Sequence, residues 1–200
     1  ARARPQSEIL GNAMAPPSPF VVDWVPRVAA ALSHADALPA TAVSSGRPTS
    51  RRGLDVAMGR GRHALVLARS GFTPFGVDIA FDALRDARAA AQRDGIPLRC
   101  VCADLTAWPL LAARFDLVLV TRYLDRARMP ALQSTVRAGG FVIYETFTQH
   151  QVRLGRGPTS PHHLLAPGEL ADWFAGWEVV FYDEVLEPEA VARLVARKRA

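Results

Sequence analysis

The chain has 200 residues, of which half are hydrophobic, so it can form one domain with a sizeable core. Its formal net charge is +5, but part of the basic excess lies at the two ends, which makes the charge poor evidence for a nucleic-acid partner. No apolar stretch is long enough to span a membrane. The two cysteines, Cys100 and Cys102, form no cluster at zinc-ligand spacing, so we expect no metal and buried, reduced thiols in a cytoplasmic protein.

The chain begins with a segment of Pro, Ala and polar residues at 1–17, which we predict to be mobile, and residues 18–200 are predicted to form one domain. The pair Ser18-Pro19 suits the cap and first position of a helix, and apolar residues follow at helical spacing. Pro26 is expected to break this helix or to start another that runs to Leu38. Residues 18–38 are therefore predicted to form a helical cover over the domain.

Strands and helices are predicted to alternate after a polar loop at residues 41–52. The expected strands are Gly53–Ala57, Thr73–Asp78, Leu98–Ala103, Phe115–Thr121 and Gly140–Thr146. The expected helices are Arg62–Ser70, Phe81–Asp94 and Arg126–Val136. This alternation predicts an α/β fold with a mostly parallel sheet. Ligands bind such sheets at the carboxyl ends of the strands, which directs attention to Ala57, Asp78, Asp104 and Thr121.

The most informative motif is GLDVAMGRGRHA at residues 53–64, followed by GVDIA at residues 76–80. Gly59 and Gly61 allow a tight turn and a close approach to a ligand, because neither carries a Cβ atom. Backbone amides at the start of the following helix can face that ligand. Asp78 ends the next strand, where a carboxylate can accept hydrogen bonds from two ribose hydroxyls. The motif therefore predicts a nucleotide site.

Two nucleotides are compatible with this motif. Residues 59–64 fit the dinucleotide fingerprint G-x-G-x-x-G/A, which would indicate a nicotinamide-dependent oxidoreductase. Asp55 argues against it, because a carboxylate at the strand end would repel a pyrophosphate. It suits a cation, such as the amino group of S-adenosylmethionine, bound directly or through water. A non-catalytic adenosine-nucleotide-binding module is a third interpretation.

The pattern Asp55-x-Ala57-x-Gly59-x-Gly61 resembles motif I of the class I S-adenosylmethionine-dependent methyltransferases, with Ala57 in place of the first glycine. Further stretches resemble the bacterial branch of that class that includes the tellurite-resistance methyltransferases: SPFVVDW, FDLVLVTRYL, GGFVIYETF, HHLLAPGELADWF and WEVVFYDE. The resemblance implies a Rossmann-like fold with a seven-stranded, mostly parallel sheet that ends in an antiparallel hairpin. We therefore assign strands to Trp177–Glu184 and to the ambiguous segment Val191–Arg197.

The resemblance also implies that S-adenosylmethionine is the cofactor. It places six residues around the methionine part: Asp55, Ala57, Met58, Gly59, Thr121 and Arg122. It places four around the adenosine: Asp78, Ile79, Asp104 and Leu105. In this scheme Asp78 binds the ribose, and Asp104 accepts from the adenine amino group unless it only caps a turn with Thr106. The substitution at Ala57 is mild if φ is negative there.

Methyl transfer depends mainly on in-line geometry, because the sulfonium already makes the methyl group electrophilic. A nucleophile that carries a proton would also need a base. The candidates on the open side are Tyr123, Glu145, His162 and His163, although Tyr123 can equally pack on the core and the two histidines can be a solvated pair. The expected acceptor is a small molecule, such as a soft nucleophile or a chalcogen oxyanion, rather than nucleic acid.

The loop from Thr148 to Pro167 follows the fifth predicted strand and so starts at the edge of the sheet that carries the cofactor motif. Its glycines and prolines suggest few apolar anchors, while Arg153 and Arg156 provide cations. We expect this loop, together with the helix from Ser18, to form a mobile cover over the acceptor site.

Overall fold

A computed structural model describes residues 15–36 and 50–199, which form a seven-stranded sheet with α-helices on its two faces. The strands are β1 (Arg52–Val56), β2 (Thr73–Asp78), β3 (Arg99–Cys102), β4 (Phe115–Thr121), β5 (Val136–Phe147), β6 (Glu178–Val185) and β7 (Val191–Arg197). The α-helices are α1 (Pro19–Asp36), α2 (Arg62–Arg69), α3 (Phe81–Arg93), α4 (Met129–Thr135) and α5 (Glu169–Trp173). Short 3-10 helices occur at Arg126–Arg128, Gln149–Leu154 and Pro161–His163.

The strand order is β3-β2-β1-β4-β5-β7-β6. Strands β1 to β5 pair in parallel, whereas β7 lies antiparallel between β5 and β6. The seven-stranded sheet with its antiparallel C-terminal strands is thus confirmed, and Val191–Arg197 is the strand expected. A classic dinucleotide-binding sheet has the order 3-2-1-4-5-6 and no such inserted strand.

The core has a layer on each face of the sheet. Leu117 and Leu119 of β4 face α1, while Val118 and Val120 face the side that carries α4 and α5. All four side chains are fully buried, as expected for a central parallel strand whose two faces are covered. Four aliphatic residues fix α1 on its face of the sheet: Val21, Val25, Val28 and Leu32.

The predicted break at Pro26 is wrong, because α1 continues through this residue. A proline costs a helix one hydrogen bond, to the carbonyl four residues earlier, which here belongs to Val22. Val22 and Pro26 both lie on the exposed side of α1, where water can reach that carbonyl. Leu38, the predicted end of the second helix, lies outside the described residues, as do residues 1–14 of the predicted mobile segment and residues 41–49 of the predicted loop.

Two further expectations need correction. β3 is an edge strand, so Cys102 is exposed and Cys100 only half-buried, rather than both being buried. β5 begins at Val136, four residues before the predicted start, and a bulge separates its first pairing with Phe115 from the later ones.

Within the described ranges, no helix combines the length and apolar content that a membrane crossing requires.

Candidate active site

The carboxyl ends of β1, β2, β3 and β4 lie side by side in the sheet. These ends, together with the segments that follow them, contain all ten residues that the resemblance places around the cofactor. The sheet therefore brings together residues that are up to 67 positions apart in sequence, from Asp55 to Arg122. Parallel packing of the strands is the cause, because it puts every strand end at one edge.

The loop between β1 and α2 turns through three residues with left-handed backbone: Ala57 (φ 54), Gly59 (φ 53) and Gly61 (φ 78). Ala57 would be a mild substitution only if its φ were negative, and this condition is not met. An L-residue in the left-handed region is strained by about 1–2 kcal/mol. A Cβ atom at Gly61 would lie 3.0 Å from both Met58 and Ala87, so this glycine is also needed for packing. A Cβ atom at Gly59 would meet nothing within 4 Å, which leaves open space beside the loop.

Met58 contributes its backbone to the loop, but its side chain turns away into the core. It is 4% exposed and packs with Ala64, Leu84 and Ala87 beneath α3. Its thioether occupies the space above Gly76, where a Cβ atom would overlap it. Only main-chain atoms of Met58 are thus available to a cofactor.

Asp78 is the last residue of β2, and it also stabilises the loop between β1 and α2. Its carboxylate accepts hydrogen bonds from the Gly59 amide at 2.7 Å and from the Ala80 amide at 2.8 Å. Each carboxylate oxygen has a second lone pair, so the group can also accept from ribose hydroxyls. The half-buried position of Asp78 leaves it accessible for that role.

Asp55 is a fully buried carboxylate, and neither of its oxygens has a hydrogen-bond partner among the described residues. Burial raises its pKa from 3.8 to about 7, against the smaller opposing effects of the Ala64 amide and the Arg62 charge. An unpaired buried carboxylate is costly and is stabilised by a cation. The residue thus fits a ligand with a positive group beside the loop, as the amino group of S-adenosylmethionine would be.

The part of the edge where the resemblance places the adenosine is accessible to solvent, since Ile79 and Asp104 are exposed. Ile79 is 67% exposed and so offers an apolar surface for a ring to pack on, while Leu105 is buried beneath this edge. Asp104 accepts hydrogen bonds from the amide and the hydroxyl of Thr106 through one oxygen, Oδ1. These bonds lower the pKa of Asp104 and keep it ionised. The turn-capping alternative is therefore present, and it leaves the second oxygen, Oδ2, for an adenine amino group.

His63 is a residue of this edge that the sequence analysis missed. Its buried ring accepts a hydrogen bond from the Ser18 amide at Nε2 (3.0 Å), so the proton of the neutral ring is on Nδ1, which faces Thr121 Oγ1 at 3.0 Å. Burial, with the nearby charges of Arg62 and Arg122, lowers its pKa to about 3. His63 lies four positions before buried Leu67 on α2, and this spacing could have revealed that it faces inward.

Two arginines, Arg62 and Arg122, meet at this edge of the sheet. Burial and the charge of Arg122 lower the pKa of Arg62, and the guanidinium of Arg62 donates to the Pro16 carbonyl at 3.0 Å. Arg122 has a left-handed backbone (φ 55) and forms an ion pair with Glu189 at 2.6 Å. This edge therefore carries two guanidinium groups, whereas the sequence motif indicated only Arg122.

The four catalytic candidates make no side-chain hydrogen bond or ion pair with one another among the described residues. Tyr123 is half-buried, and burial together with Asp125 raises its pKa to about 12. Glu145 is buried, and its carboxylate pairs with Arg193 at 2.8 Å. His162 and His163 lie on an exposed 3-10 helix. Within the described residues, Glu145 is thus paired, Tyr123 holds its proton firmly, and the two histidines are exposed.

The segment from Thr148 to Pro167 is better anchored than predicted. Leu164 and Leu165 are fully buried, and Leu165 pairs with Thr148 in an isolated bridge. Buried Gln151 accepts from the Ala190 amide at 2.7 Å and donates to the Arg156 carbonyl at 2.8 Å. The Arg156 side chain bonds to the Pro188 carbonyl, whereas Arg153 is exposed. The expectation of few apolar anchors is thus wrong, because two buried leucines lie near the end of the segment.

A family model described as a methyltransferase domain matches residues 54–139, which contain the loop, Asp78, Asp104 and Arg122. Solved structures with a similar fold include TehB from Haemophilus influenzae, at a TM-score of 0.62 and 19% identity, covering 76% of this chain and 59% of that one. The chain thus spans less than two thirds of TehB. No curated protein sequence matches the chain.

Two other similar structures are methyltransferases. An S-adenosylmethionine-dependent methyltransferase from Mesorhizobium loti has a TM-score of 0.60 and 18% identity, covering 74% of this chain and 91% of that one. A 1,6-didemethyltoxoflavin-N1-methyltransferase from Burkholderia thailandensis, solved with its substrate and S-adenosylhomocysteine, has a TM-score of 0.58 and 22% identity, covering 88% and 79%. Residues 54–139 are therefore similar to a methyltransferase domain, and the chain has the fold of the class I S-adenosylmethionine-dependent methyltransferases.

Proposed function

We propose that the protein transfers a methyl group from S-adenosylmethionine to a small-molecule acceptor, in the cytoplasm. The observation that carries this proposal is the buried, unpartnered carboxylate of Asp55 beneath the left-handed loop. It provides the negative charge that an amino group requires, and it would oppose the pyrophosphate of a nicotinamide cofactor. The match to a methyltransferase domain over the same residues supports the choice.

The residues present fit this cofactor. Asp55 would face its amino group, Asp78 its ribose and Asp104 its adenine, while Arg62 and Arg122 offer a counter-charge for its carboxylate. When bound, the cofactor supplies an electrophilic methyl group on a sulfonium. The protein's contribution is to hold this group and the acceptor in line, which can account for much of the acceleration in such a reaction.

The state of the candidate bases narrows the acceptor class. Tyr123 holds its proton up to about pH 12, and the charge of Glu145 is neutralised by Arg193. A nucleophile that must lose a proton would therefore find little help from these two groups. This favours an acceptor that is already a nucleophile at neutral pH, such as a thiolate, another soft nucleophile or a chalcogen oxyanion.

A further positive charge favours an anion among those acceptors. Arg62 and Arg122 face the cofactor's carboxylate in this proposal, but exposed Arg153 lies in the segment that follows β5. We propose that the segment from Thr148 to Pro167 covers the acceptor, with Arg153 attracting it electrostatically. His162 and His163 are exposed residues of the same segment. Such a cover would therefore bring them near the acceptor.

Calorimetry with S-adenosylhomocysteine and with NAD tests the cofactor. We expect binding of the former and none of the latter; tight NAD binding without a response to S-adenosylhomocysteine would establish the oxidoreductase alternative. An acceptor screen with methyl-labelled cofactor then tests the substrate class, using thiols, selenite, tellurite, RNA and a protein extract. Label in the small molecules supports the proposal and excludes a non-catalytic module, whereas label mainly in RNA would overturn the small-molecule acceptor.

A further inference from the structure

A cavity lies on the sheet face that carries α4 and α5, away from the edge where we place the cofactor. It has a volume of about 530 Å³ and reaches across β1, β2 and β3. Its floor includes Leu54, Phe75 and Val101, which are in the middle of their strands. The residues that bind the cofactor in our proposal lie at the carboxyl ends of these strands and of β4, or in the segments that follow, so the cavity is a separate site.

The cavity exists because the connection between β3 and β4 contains no helix. Parallel strands are usually joined by a helix that covers the sheet, but residues 103–114 cross this face as turns and irregular chain. Large apolar side chains therefore remain accessible here: Val101 is 42% exposed, Trp108 42% and Leu111 60%. An apolar surface left open inside a concave site of this size is typical of a ligand pocket.

Four arginines also line this cavity: Arg52, Arg88, Arg99 and Arg114. Among the described residues, none of their guanidinium groups makes a salt bridge or a hydrogen bond, and Arg99 only stacks over Phe75 at 5.4 Å. The cavity lining contains no Asp or Glu. The nearby Asp116 is already paired with Arg137 at 2.6 Å. The cavity thus combines an apolar floor with a rim of positive charge that has no counter-charge within residues 15–36 and 50–199.

We infer that this cavity is a binding site for a small amphipathic anion, with an apolar chain or ring on the sheet and a carboxylate against the arginines. The apolar floor accounts for the body of such a ligand, and the guanidinium groups match a carboxylate in charge and geometry. The volume lies within the range of small-molecule pockets, roughly 300–1,000 Å³. The inference does not depend on the methyl acceptor.

Decanoate, used below its micelle-forming concentration, is a suitable probe, and decanol is its uncharged counterpart. Trp108 lines the cavity, so decanoate should change the tryptophan fluorescence of the parent, and the change should be lost in Trp108→Phe while calorimetry still shows binding. We expect decanol to bind at least tenfold more weakly. No binding of decanoate, or equal binding of decanol, would overturn the inference.

The arginines are tested by the double variant Arg99→Gln/Arg114→Gln. Decanoate should bind about tenfold more weakly because charge-assisted hydrogen bonds are lost, and decanol binding should be unchanged. Arg93→Gln is the matched control, since Arg93 is exposed and lies outside the cavity. Equal losses in the control and the double variant would overturn the site, as would binding to phosphatidylglycerol vesicles without binding of monomeric decanoate.

The apolar surface is tested by Leu111→Asn, which should weaken decanoate and decanol alike. Leu111 is 60% exposed, so the melting temperature should stay close to that of the parent. Unchanged affinity for both probes in a folded variant would show that they do not occupy this cavity. The binding of S-adenosylhomocysteine should be the same in all these variants, which separates this test from that of the proposed function.

Discussion

At the scale of single residues, Asp78 has a structural role in addition to the ribose-binding role that we propose for it. The motif predicts a ribose ligand, and the structure adds hydrogen bonds from the amides of Gly59 and Ala80 that hold the loop. A residue with both roles should affect both binding and folding. The sequence alone would lead to the expectation that the free protein is little changed when Asp78 is replaced.

Asp78→Ala is therefore expected to lower the affinity for S-adenosylhomocysteine at least tenfold, since hydrogen bonds to a charged group contribute about 1.5–3 kcal/mol each. It should also lower the melting temperature of the free protein, because two loop amides lose their acceptor. Asp78→Asn is the matched variant and should recover part of the stability through its carbonyl oxygen. Calorimetry and thermal unfolding measure the two effects. Parent-like affinity in Asp78→Ala would exclude a ribose ligand here.

Asp55 gives the site a dependence on pH. Its folded-state pKa of about 7 lies above its usual 3.8, so the folded chain holds the proton more firmly and loses stability as pH rises from about 4 to about 7. His63 acts in the opposite sense, since its pKa of about 3 means that stability is lost as pH falls below its usual 6.5.

The variant Asp55→Asn separates the contribution of Asp55 to the pH dependence of stability from that of His63. Its stability relative to the parent should increase between pH 5 and pH 8, in urea unfolding experiments, because only the parent must ionise a buried carboxylate. Affinity of the parent for S-adenosylhomocysteine should rise through pH 7 as the carboxylate becomes available to the amino group, and this rise should be absent in Asp55→Asn. The same pH dependence in both proteins would contradict the assignment of the shift to Asp55.

Ala57 is strained at φ 54. Replacement by glycine removes a strain of about 1–2 kcal/mol but adds freedom to the unfolded chain that costs about 0.4–1 kcal/mol. Ala57→Gly should thus stabilise the protein by roughly 0.5–1 kcal/mol in urea unfolding. Ala113 has nearly the same φ, 51, far from the loop, and Ala113→Gly should give a similar gain. Destabilisation by Ala57→Gly alone would mean that its methyl group makes a contact worth more than the strain.

At the scale of secondary structure elements, α1 depends on its buried face rather than on the helix propensity of its sequence. It contains Pro26, yet it remains continuous because Val21, Val25, Val28 and Leu32 are each at most 2% exposed on the sheet. Its N-terminus is fixed separately, by the hydrogen bond of the Ser18 amide to His63. The element that was expected to be a cover is therefore part of the core.

Leu32→Ala is expected to cost about 2–5 kcal/mol of unfolding free energy, since it leaves a cavity against the sheet. Val22→Ala on the same helix is the matched control. Val22 is 45% exposed, so this change should stay within about 0.5 kcal/mol. Chemical denaturation of both variants measures the difference. Similar small effects in the two would show that α1 is only loosely docked.

At the scale of the whole molecule, the cofactor should stabilise the fold, because its proposed ligands come from four different strand ends. At a concentration one hundred times its dissociation constant, a ligand adds about 2.7 kcal/mol, which corresponds to a rise in melting temperature of roughly 5–10 °C for a chain of this size. S-adenosylhomocysteine should produce this rise, and NAD at the same concentration should not. A rise with NAD alone would contradict the proposed cofactor.

Local patterns predicted the sheet well. The bounds of β2, β4 and β7 agree with expectation, because each is a short apolar run or, for β7, is implied by the resemblance. Contacts between distant residues were not predictable in this way. Glu145 and Arg193 are 48 positions apart, and only the pairing of β5 with β7 brings them into register. Likewise, nothing in the local sequence showed that Leu165 pairs with Thr148, or that α1 could tolerate Pro26.

The packing of Met58 over Gly76 has a consequence for how this sequence can change over time. The Met58 thioether fills the position that a side chain at residue 76 would need, so the two positions are not free to vary independently. Alanine at residue 76 should be tolerated only after residue 58 has become smaller. The order of substitution therefore matters. A change at residue 76 that is acceptable after a smaller residue 58 would destabilise the protein if it came first.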